Sequence, residues 1–543
     1  MTTSSRLQSV VLALLILAYF LPGLVGHDPW KPDEPYTFGA VLNILKAGDW
    51  VVPVVGAQPF VEKPPLYYWI ASGTARLASP WLPLHDAARL ATLVLGLVSL
   101  AALAAAARLL WGKGAAILAV LLFLGTLGLE ENVHRMEVDL ALLAGFAIAL
   151  AGFAGCIRDR WWGGAVLGLG VGIGFLGKGL LAPGVIGLTA VLLPLFFRAW
   201  RTKRYFLQLI YAAAVALPAL LIWPLALLAR SDHLFREWIL DNNLGRFSGY
   251  STSFLGAISE RGAFVHDFAW FLFPLYLYAV LAVAREGRRA WYQPGMQIGF
   301  TMALVLAMVL AMSASLRALY FLPLIPPLAL AAVAALQAPE GRWQKAFGVF
   351  SIVAAAAVAV ILWSVWAMLV FAGGIPEWVA LGLRLPTPFA MPVSFPDVAA
   401  ALLITAGFAA LVRVRDRIAA PSLTLWVAAL ALGWGLVHTL WLPWLDAARS
   451  YRSVFAEIAK RLPAGTKCIV MDGPGESERA MIEYFTGVTP RQRFVREEEC
   501  RALLWKGSAR LGHPMHGWGL EPVWKGSRPG DSEERFDLFV KPW

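Results

Sequence analysis

The sequence predicts an all-α polytopic membrane protein with a small α/β domain at its C-terminal end. Three observations predict it. Of the 543 residues, 59% are hydrophobic and 15% charged, against roughly 45–50% and 25% in soluble globular chains. Apolar runs recur along most of the chain, most of them near the ~20 residues that cross ~30 Å of hydrocarbon. Lys and Arg gather in alternate loops, the pattern of positively charged loops on the cytoplasmic side. The 24 Trp and 30 Phe suit the aromatic belts of membrane interfaces. This composition excludes disordered, collagen-like and disulfide-framework proteins.

Thirteen spans are predicted, near 8–26, 88–108, 114–130, 138–156, 163–177, 180–197, 205–229, 267–284, 295–312, 319–336, 346–372, 395–412 and 420–441. The 163–177 run is short and Gly-rich, so a kinked or re-entrant segment is expected there. One set of loops holds Arg6, Arg108, Lys113, Arg158, Arg160, Arg198, Arg201, Lys203, Arg204, Arg285, Arg288, Arg289, Arg342, Lys345, Arg413, Arg415 and Arg417. Only Asp159, Glu286, Glu340 and Asp416 oppose them there. These loops are therefore cytoplasmic, and the net charge of +11 reports topology, with no nucleic-acid motif beside it. No small-x-small cleavage site precedes His27, so the first run reads as a retained span. The N-terminus is then cytoplasmic. The long loops 27–87 and 230–266, and the C-terminus, lie on the opposite side.

Residues 1–442 thus form a membrane domain and 443–543 a small periplasmic α/β domain, where Glu, Arg, Gly and Ser replace the Leu/Ala background. Helices are predicted over 450–462, 476–486 and 497–505, and strands over 467–471, 491–495 and 536–540. Cys156 falls at the inner end of a span, in a reducing compartment. Cys468 and Cys500 both fall in the outer tail, where disulfides persist. A bridge closing a loop of about 30 residues is expected between them; the alternative is two unpaired buried thiols.

The chemistry-bearing residues fall on the non-cytoplasmic face. Asp33-Glu34 follows the first span, and Glu62-Lys63-Pro64-Pro65 precedes the second. Residues Glu130 to Asp139 join the third and fourth spans, with Glu131 and Glu137 reading as partners of Arg135. Lys178 sits at the turn between spans five and six. Loop 230–266 supplies Arg246 and ends at His266-Asp267, and Arg317 and Tyr320 open span ten in Arg317-Ala318-Leu319-Tyr320-Phe321-Leu322-Pro323. Ionisable groups at membrane level are expensive and mark sites. Their common sidedness argues for one site.

With these motifs in this order, the chain resembles the GT-C membrane glycosyltransferases of the protein O-mannosyltransferase superfamily, and within it the branch of the bacterial lipid A aminoarabinose transferases. The resemblance covers roughly residues 8–340. That branch usually continues its acidic pair as Asp-Glu-x-Arg-Tyr, whereas Pro35-Tyr36-Thr37 follows Asp33-Glu34 here. The resemblance implies a polyprenyl-phosphate (undecaprenyl-phosphate) sugar donor, and an acceptor, lipid A first, at the outer face of the bacterial inner membrane. It implies Asp33 as the carboxylate nearest the chemistry, with Asp139 as its partner. It also implies Glu62 and His266 as ligands of a divalent metal, carboxylate plus imidazole suiting Zn. A breaking sugar–oxygen bond leaves negative charge on the donor phosphate, which preorganised cations stabilise. Lys63, Arg246, Arg317 and Lys178 are the candidates, with Tyr320 as a hydrogen-bond donor. The chain is read as working as a monomer.

Two other classes compete. A lipid-linked sugar transporter would place its charges near mid-membrane, often in broken helices, whereas here they crowd at one end. A non-catalytic scaffold has no use for carboxylates and cations facing one another. Within the enzyme class, the alternative is another sugar moved to protein hydroxyls or to a different envelope glycan.

Overall fold

In the computed structural model, which describes residues 3–250, 263–371, 391–473, 475–493, 500–508, 520–529, 531 and 534–541, eight helices are long and apolar enough to cross a membrane. They are Leu84–Trp111, Asp139–Ile157, Lys203–Arg230, Pro294–Met312, Ala318–Leu336, Arg342–Phe371, Phe395–Arg417 and Pro421–Leu440. A ninth candidate, Phe264–Phe271 with Leu275–Tyr292, is bent by 82°. Four shorter apolar helices, Arg6–Phe20, Ala115–Leu124, Gly163–Lys178 and Leu181–Phe196, fall where further spans are predicted. The 114–130 run is interrupted at Gly125–Thr126, where the Trp426 indole donates to the Gly125 carbonyl at 2.8 Å and a new short helix, Leu127–Asn132, begins.

The centre of the bundle is the Asp139–Ile157 helix, buried at every position from Asp139 to Cys156. A helix apolar all round has no solvent face to present. It packs against Gly163–Lys178, where the Gly-rich run is one continuous helix. Its glycines, with those facing them, serve close approach. A Cβ on Gly145 would lie 2.5 Å from the backbone nitrogen of Gly174, and one on Gly152 would lie 2.4 Å from that of Leu167. Small residues at a helix interface let two membrane helices meet backbone to backbone. The pair is antiparallel, so the start of one helix meets the end of the other.

A two-stranded ribbon, β1 (Val54–Val55) and β2 (Gln58–Pro59), lies in the first long loop. The C-terminal domain holds β3 (Cys468–Asp472), β4 (Thr489–Gln492), β5 (Ala502–Ser508), β6 (Trp524–Gly526) and β7 (Glu534–Val540), in the order β4-β3-β5-β7-β6. β3 runs parallel to β4 and β5, and β7 is antiparallel to β5 and β6. Side chains alternate across the strands. Ile469, Met471, Leu504 and Leu538 join the core shared with the membrane domain, while Val470, Cys500, Leu503 and Phe539 pack on the other face.

Two expectations for this domain are corrected. The 450–462 helix is a shorter one, Arg452–Ala459, preceded by Leu442–Arg449. The 497–505 helix is replaced over Ala502–Ser508 by the central strand β5, residues 494–499 lying outside the described set. The Ala-Leu-Leu-Trp run reads equally as buried helix or buried strand from its pattern alone, and pairing with β3 and β7 decides it. The domain docks through its Glu476–Thr486 helix onto the Glu34–Ala47 helix, so closely that a Cβ on Gly39 would lie 2.6 Å from that of Ala480.

Cys468 and Cys500 are bridged, with Cα atoms 5.3 Å apart and a sequence separation of 32. On the chain-entropy account such a loop contributes about 3–4 kcal/mol. Cys500→Ser should therefore lower the unfolding midpoint in non-reducing buffer, and dithiothreitol should bring the wild-type protein to the same value. Equal midpoints for variant and wild type would remove the bridge from the stability account.

Candidate active site

The antiparallel pair builds the first half of the site. Asp139 opens one helix and Lys178 closes the other, and the Lys178 ammonium donates to the Asp139 carboxylate. The same ammonium stands 3.6 Å from the centroid of the Tyr320 ring, a cation–π contact. Tyr320 sits in a 3₁₀ turn, Ala318–Leu324, that leads into the Ile325–Ala332 helix. Just before that turn, Arg317 forks onto Asp33, Nη2 to Oδ2 at 2.7 Å and Nη1 to Oδ1 at 3.2 Å. The Tyr36 hydroxyl donates to the same carboxylate from the first turn of the helix that follows.

The second half gathers around Glu62. Lys63 pairs with it at 2.9 Å, and Arg246 pairs with it from across the loop. Burial opposes its ionisation, but the two cations hold its carboxyl at about 2. Arg246 is delivered by a π-helix, Glu237–Gly245, a wide turn frequent at functional sites. Asn243 anchors that turn, donating to the Trp238 carbonyl at 2.8 Å and accepting from the Leu180 amide at 3.3 Å. A cavity of about 290 Å³ is lined by the polar Glu62, Lys63, Lys178, Arg246, Tyr320, Ser313 and Ser315 and by the apolar Leu181, Val185, Leu244, Phe247, Val309 and Leu310. Four of the five predicted phosphate-binding residues line it. Arg317 does not, being engaged with Asp33.

Glu137 belongs to the first half and was misjudged from sequence. Adjacency suggested a pair with Arg135, but Arg135 binds Glu131 one helical turn before it. Glu137 instead is 4% exposed, within electrostatic reach of Asp33, Asp139, Arg317 and Lys178. Burial pushes its carboxyl well above the ordinary 4.5, and the two neighbouring carboxylates push it the same way. The native state then holds a proton that the unfolded chain releases above about pH 4.5, so this group makes stability fall as pH rises through and beyond that value. Glu137→Gln should gain stability relative to wild type on going from pH 5 to pH 8 in thermal unfolding. A pH-independent difference would contradict a protonated Glu137.

A buried ion cluster behind Asp33 was also missed. Arg89 and Glu34, both fully buried, meet at 2.8 Å, and Arg89 reaches Asp86 at 2.6 Å. Glu34 also accepts from the Trp30 amide at 2.9 Å and the Met136 amide at 3.0 Å. Burial opposes its charge, yet Arg89 holds its carboxyl at about 2. The signal was present: an Arg inside a predicted apolar span is costly unless paired. The C-terminal domain clamps the same loop. Glu478 takes Lys31 at 3.1 Å and Tyr451 at 2.7 Å, Ser477 donates to the Pro32 carbonyl at 2.8 Å, and Arg452 forks onto Asp28. No spacing in the sequence links those partners.

Glu62 and His266, the proposed metal ligands, each have another partner. Glu62 lies between two cations, which compete with any divalent ion for its oxygens. His266 has its side chain 80% exposed, pairs with Asp267 at 3.0 Å, and does not line the cavity. Among the described residues no three His, Cys, Asp or Glu side chains are grouped as a metal would need.

The fold and site together define a polytopic membrane protein with cations and carboxylates at one end of the bundle. Its fold is that of the crystal structure of ArnT from Cupriavidus metallidurans bound to undecaprenyl phosphate, with a TM-score of 0.71 over 99% of this chain and 98% of that one, at 18% identity. The archaeal oligosaccharyltransferase AglB from Archaeoglobus fulgidus is more distant, with a TM-score of 0.52 over 93% of this chain and 70% of that one, at 11% identity. Residues 62–223 match the family described as dolichyl-phosphate-mannose-protein mannosyltransferase. The chain is similar to undecaprenyl phosphate-alpha-4-amino-4-deoxy-L-arabinose arabinosyl transferases, 29% identical to that of Pseudomonas aeruginosa over 60% of this chain and 59% of the relative. A second relative of that name, from Pseudomonas fluorescens, is 31% identical over 44% of each chain. The chain thus aligns with about three fifths of the length of the first of these relatives. The resemblance read from the motifs is borne out.

Proposed function

We propose that the chain is an integral-membrane glycosyltransferase. It moves a sugar from an undecaprenyl-phosphate donor to an acceptor at the periplasmic face of the bacterial inner membrane, with an aminoarabinose-type sugar as cargo and lipid A as acceptor. One observation carries the reading: a single cavity is lined both by the cations Lys63, Lys178 and Arg246 and by apolar side chains. That lining suits a phosphate on a lipid tail. Asp33 lies beside it with its oxygens occupied by Arg317 and Tyr36. With its oxygens so engaged it has little room to accept a bond from an acceptor hydroxyl, which favours an acceptor already ionised near neutral pH, such as a phosphate. Asp33 then stabilises positive charge developing on the sugar ring.

The topology is part of the proposal. Eight long apolar helices, one bent pair and four shorter apolar helices fall where the thirteen spans are predicted, which supports a cytoplasmic N-terminus. The disulfide supports an oxidising location for the C-terminal domain. The chain is taken to act as a monomer.

The test is transfer by purified protein from an undecaprenyl-phosphate sugar, together with mass spectrometry of lipid A and envelope glycans from deletion and complemented strains. Asp33→Asn should lower turnover about a hundred-fold or more while leaving folding intact. Unchanged lipid A with loss of sugar from another glycan or from protein would move the reading to the alternative acceptor. Movement of the lipid-linked sugar across the membrane without any acceptor would replace it with transport.

A further inference from the structure

A second cavity lies beside the loops that carry Asp33 and Glu137, and the transfer proposed above does not use it. It encloses about 110 Å³, and Trp30, Glu131, Arg135, Trp434, His438 and Arg449 are among its lining residues. Its walls are a pile of rings. His27 stacks on Trp30 at 3.9 Å, and Trp434 stacks on His438 at 4.1 Å and on His134 at 4.6 Å. Trp30 precedes Asp33 by three residues and Arg135 precedes Glu137 by two, so along the chain each lies within roughly 7–11 Å of its carboxylate.

The charges in this cavity do not balance. Arg135 is matched by Glu131. Arg449 lies over the Trp30 ring, its charge 5.4 Å from the centroid, and among the described residues its guanidinium has no hydrogen bond or ion pair. Burial and the like charge of Arg135 push its pKa down against a smaller upward pull from Glu131 and Glu34, and the side chain is open to solvent. His438 donates through Nδ1 to the Trp434 carbonyl at 3.1 Å, so its Nε2 is an acceptor and the ring serves as a wall. A metal does not fit. Both ring nitrogens of His27 face carbonyl oxygens, of Asp28 and Gly23, and both of His134 face those of Glu130 and Tyr19. The volume is that of three or four waters at about 30 Å³ each, far below the ~300 Å³ of a site for a drug-sized ligand.

We propose that this cavity is a second anion site, taking one phosphate or carboxylate group between the Arg135 and Arg449 guanidiniums. Guanidinium forks suit such oxyanions. The group belongs either to a membrane lipid, a second anionic group of the acceptor included, or to a free anion. Because Glu34 bonds to both the Trp30 and Met136 amides, an anion here would brace the two strands of chain that hold Asp33 and Glu137.

The experiment uses the full chain in phosphatidylcholine nanodiscs and a Lys63→Ala background, which weakens phosphate binding in the first cavity. Inorganic phosphate should bind saturably by calorimetry. Adding Arg449→Gln should weaken it ten-fold or more, Arg449→Lys should restore part of the loss, and Glu131→Gln should tighten binding. If phosphatidic acid in the nanodisc competes with inorganic phosphate in Lys63→Ala but not after Arg449→Gln, the site takes lipid headgroups. If phosphate binds with no such competition, it takes free anions. Unchanged binding after Arg449→Gln, or no saturable binding of either probe in Lys63→Ala, would reduce the cavity to a water pocket. The transfer reading would stand in that case, since it rests on the first cavity alone.

Discussion

Lys63→Ala should lower transfer about 10²–10³-fold, equivalent to roughly 3–4 kcal/mol of lost transition-state stabilisation. Lys63 is one of three cations lining the 290 Å³ cavity, and in a water-poor pocket each preorganised charge facing a leaving phosphate acts far more strongly than in bulk solvent. The substitution leaves Glu62 paired with Arg246, so the fold should survive. The unfolding midpoint is the control. Arg246→Ala should lose transfer to a similar degree, and the double variant should lose less than the product of the two, because both cations share Glu62 and neighbours are not additive. Arg317→Ala should also reduce turnover, through release of Asp33. Near-normal turnover in Lys63→Ala and Arg246→Ala would refute the phosphate assignment while leaving the fold untouched.

Arg89→Leu should have the largest effect on stability, about 3–5 kcal/mol, the range for breaking a buried ion pair from one side. Its guanidinium serves Glu34, Asp86 and the carbonyls of Leu24, His27 and Asp28. Removing it leaves two carboxylates facing each other without water. Lys should not rescue, since a point charge on a flexible stem cannot fork between two partners. Adding Glu34→Gln and Asp86→Asn should recover part of the loss by removing the stranded charges. Thermal unfolding in detergent reads the series, and a midpoint for Arg89→Leu within a degree or two of wild type would contradict the cluster's role. Activity should fall with it, because the Glu34 carboxylate ties the loop of Asp33 to that of Glu137 through the Trp30 and Met136 amides.

The sequence by itself determined the membrane class, the positions of the apolar helices and the set of chemistry-bearing ends. Those follow from local quantities: hydropathy over a window, the sidedness of Lys and Arg, and motifs such as Glu62-Lys63 and Arg317-Ala318-Leu319-Tyr320 that keep their meaning without a partner. Cys468 and Cys500 were legible for the same reason, since compartment and count limit the pairing. Only the tertiary structure decided which charge meets which. Arg317 lies 284 residues from Asp33, Arg246 lies 184 from Glu62 and Glu478 lies 447 from Lys31. No periodicity encodes contacts of that separation. Glu137 was given to Arg135 because adjacency is what a sequence displays, but the short Leu127–Asn132 helix turns Arg135 back toward Glu131 and leaves Glu137 among the carboxyls. Helix 163–177 looked broken because glycine weakens an isolated helix, whereas between packed helices the missing Cβ lets two backbones touch. That contact sets Lys178 against Asp139, and packing at that distance is a property of the pair, which neither segment carries alone.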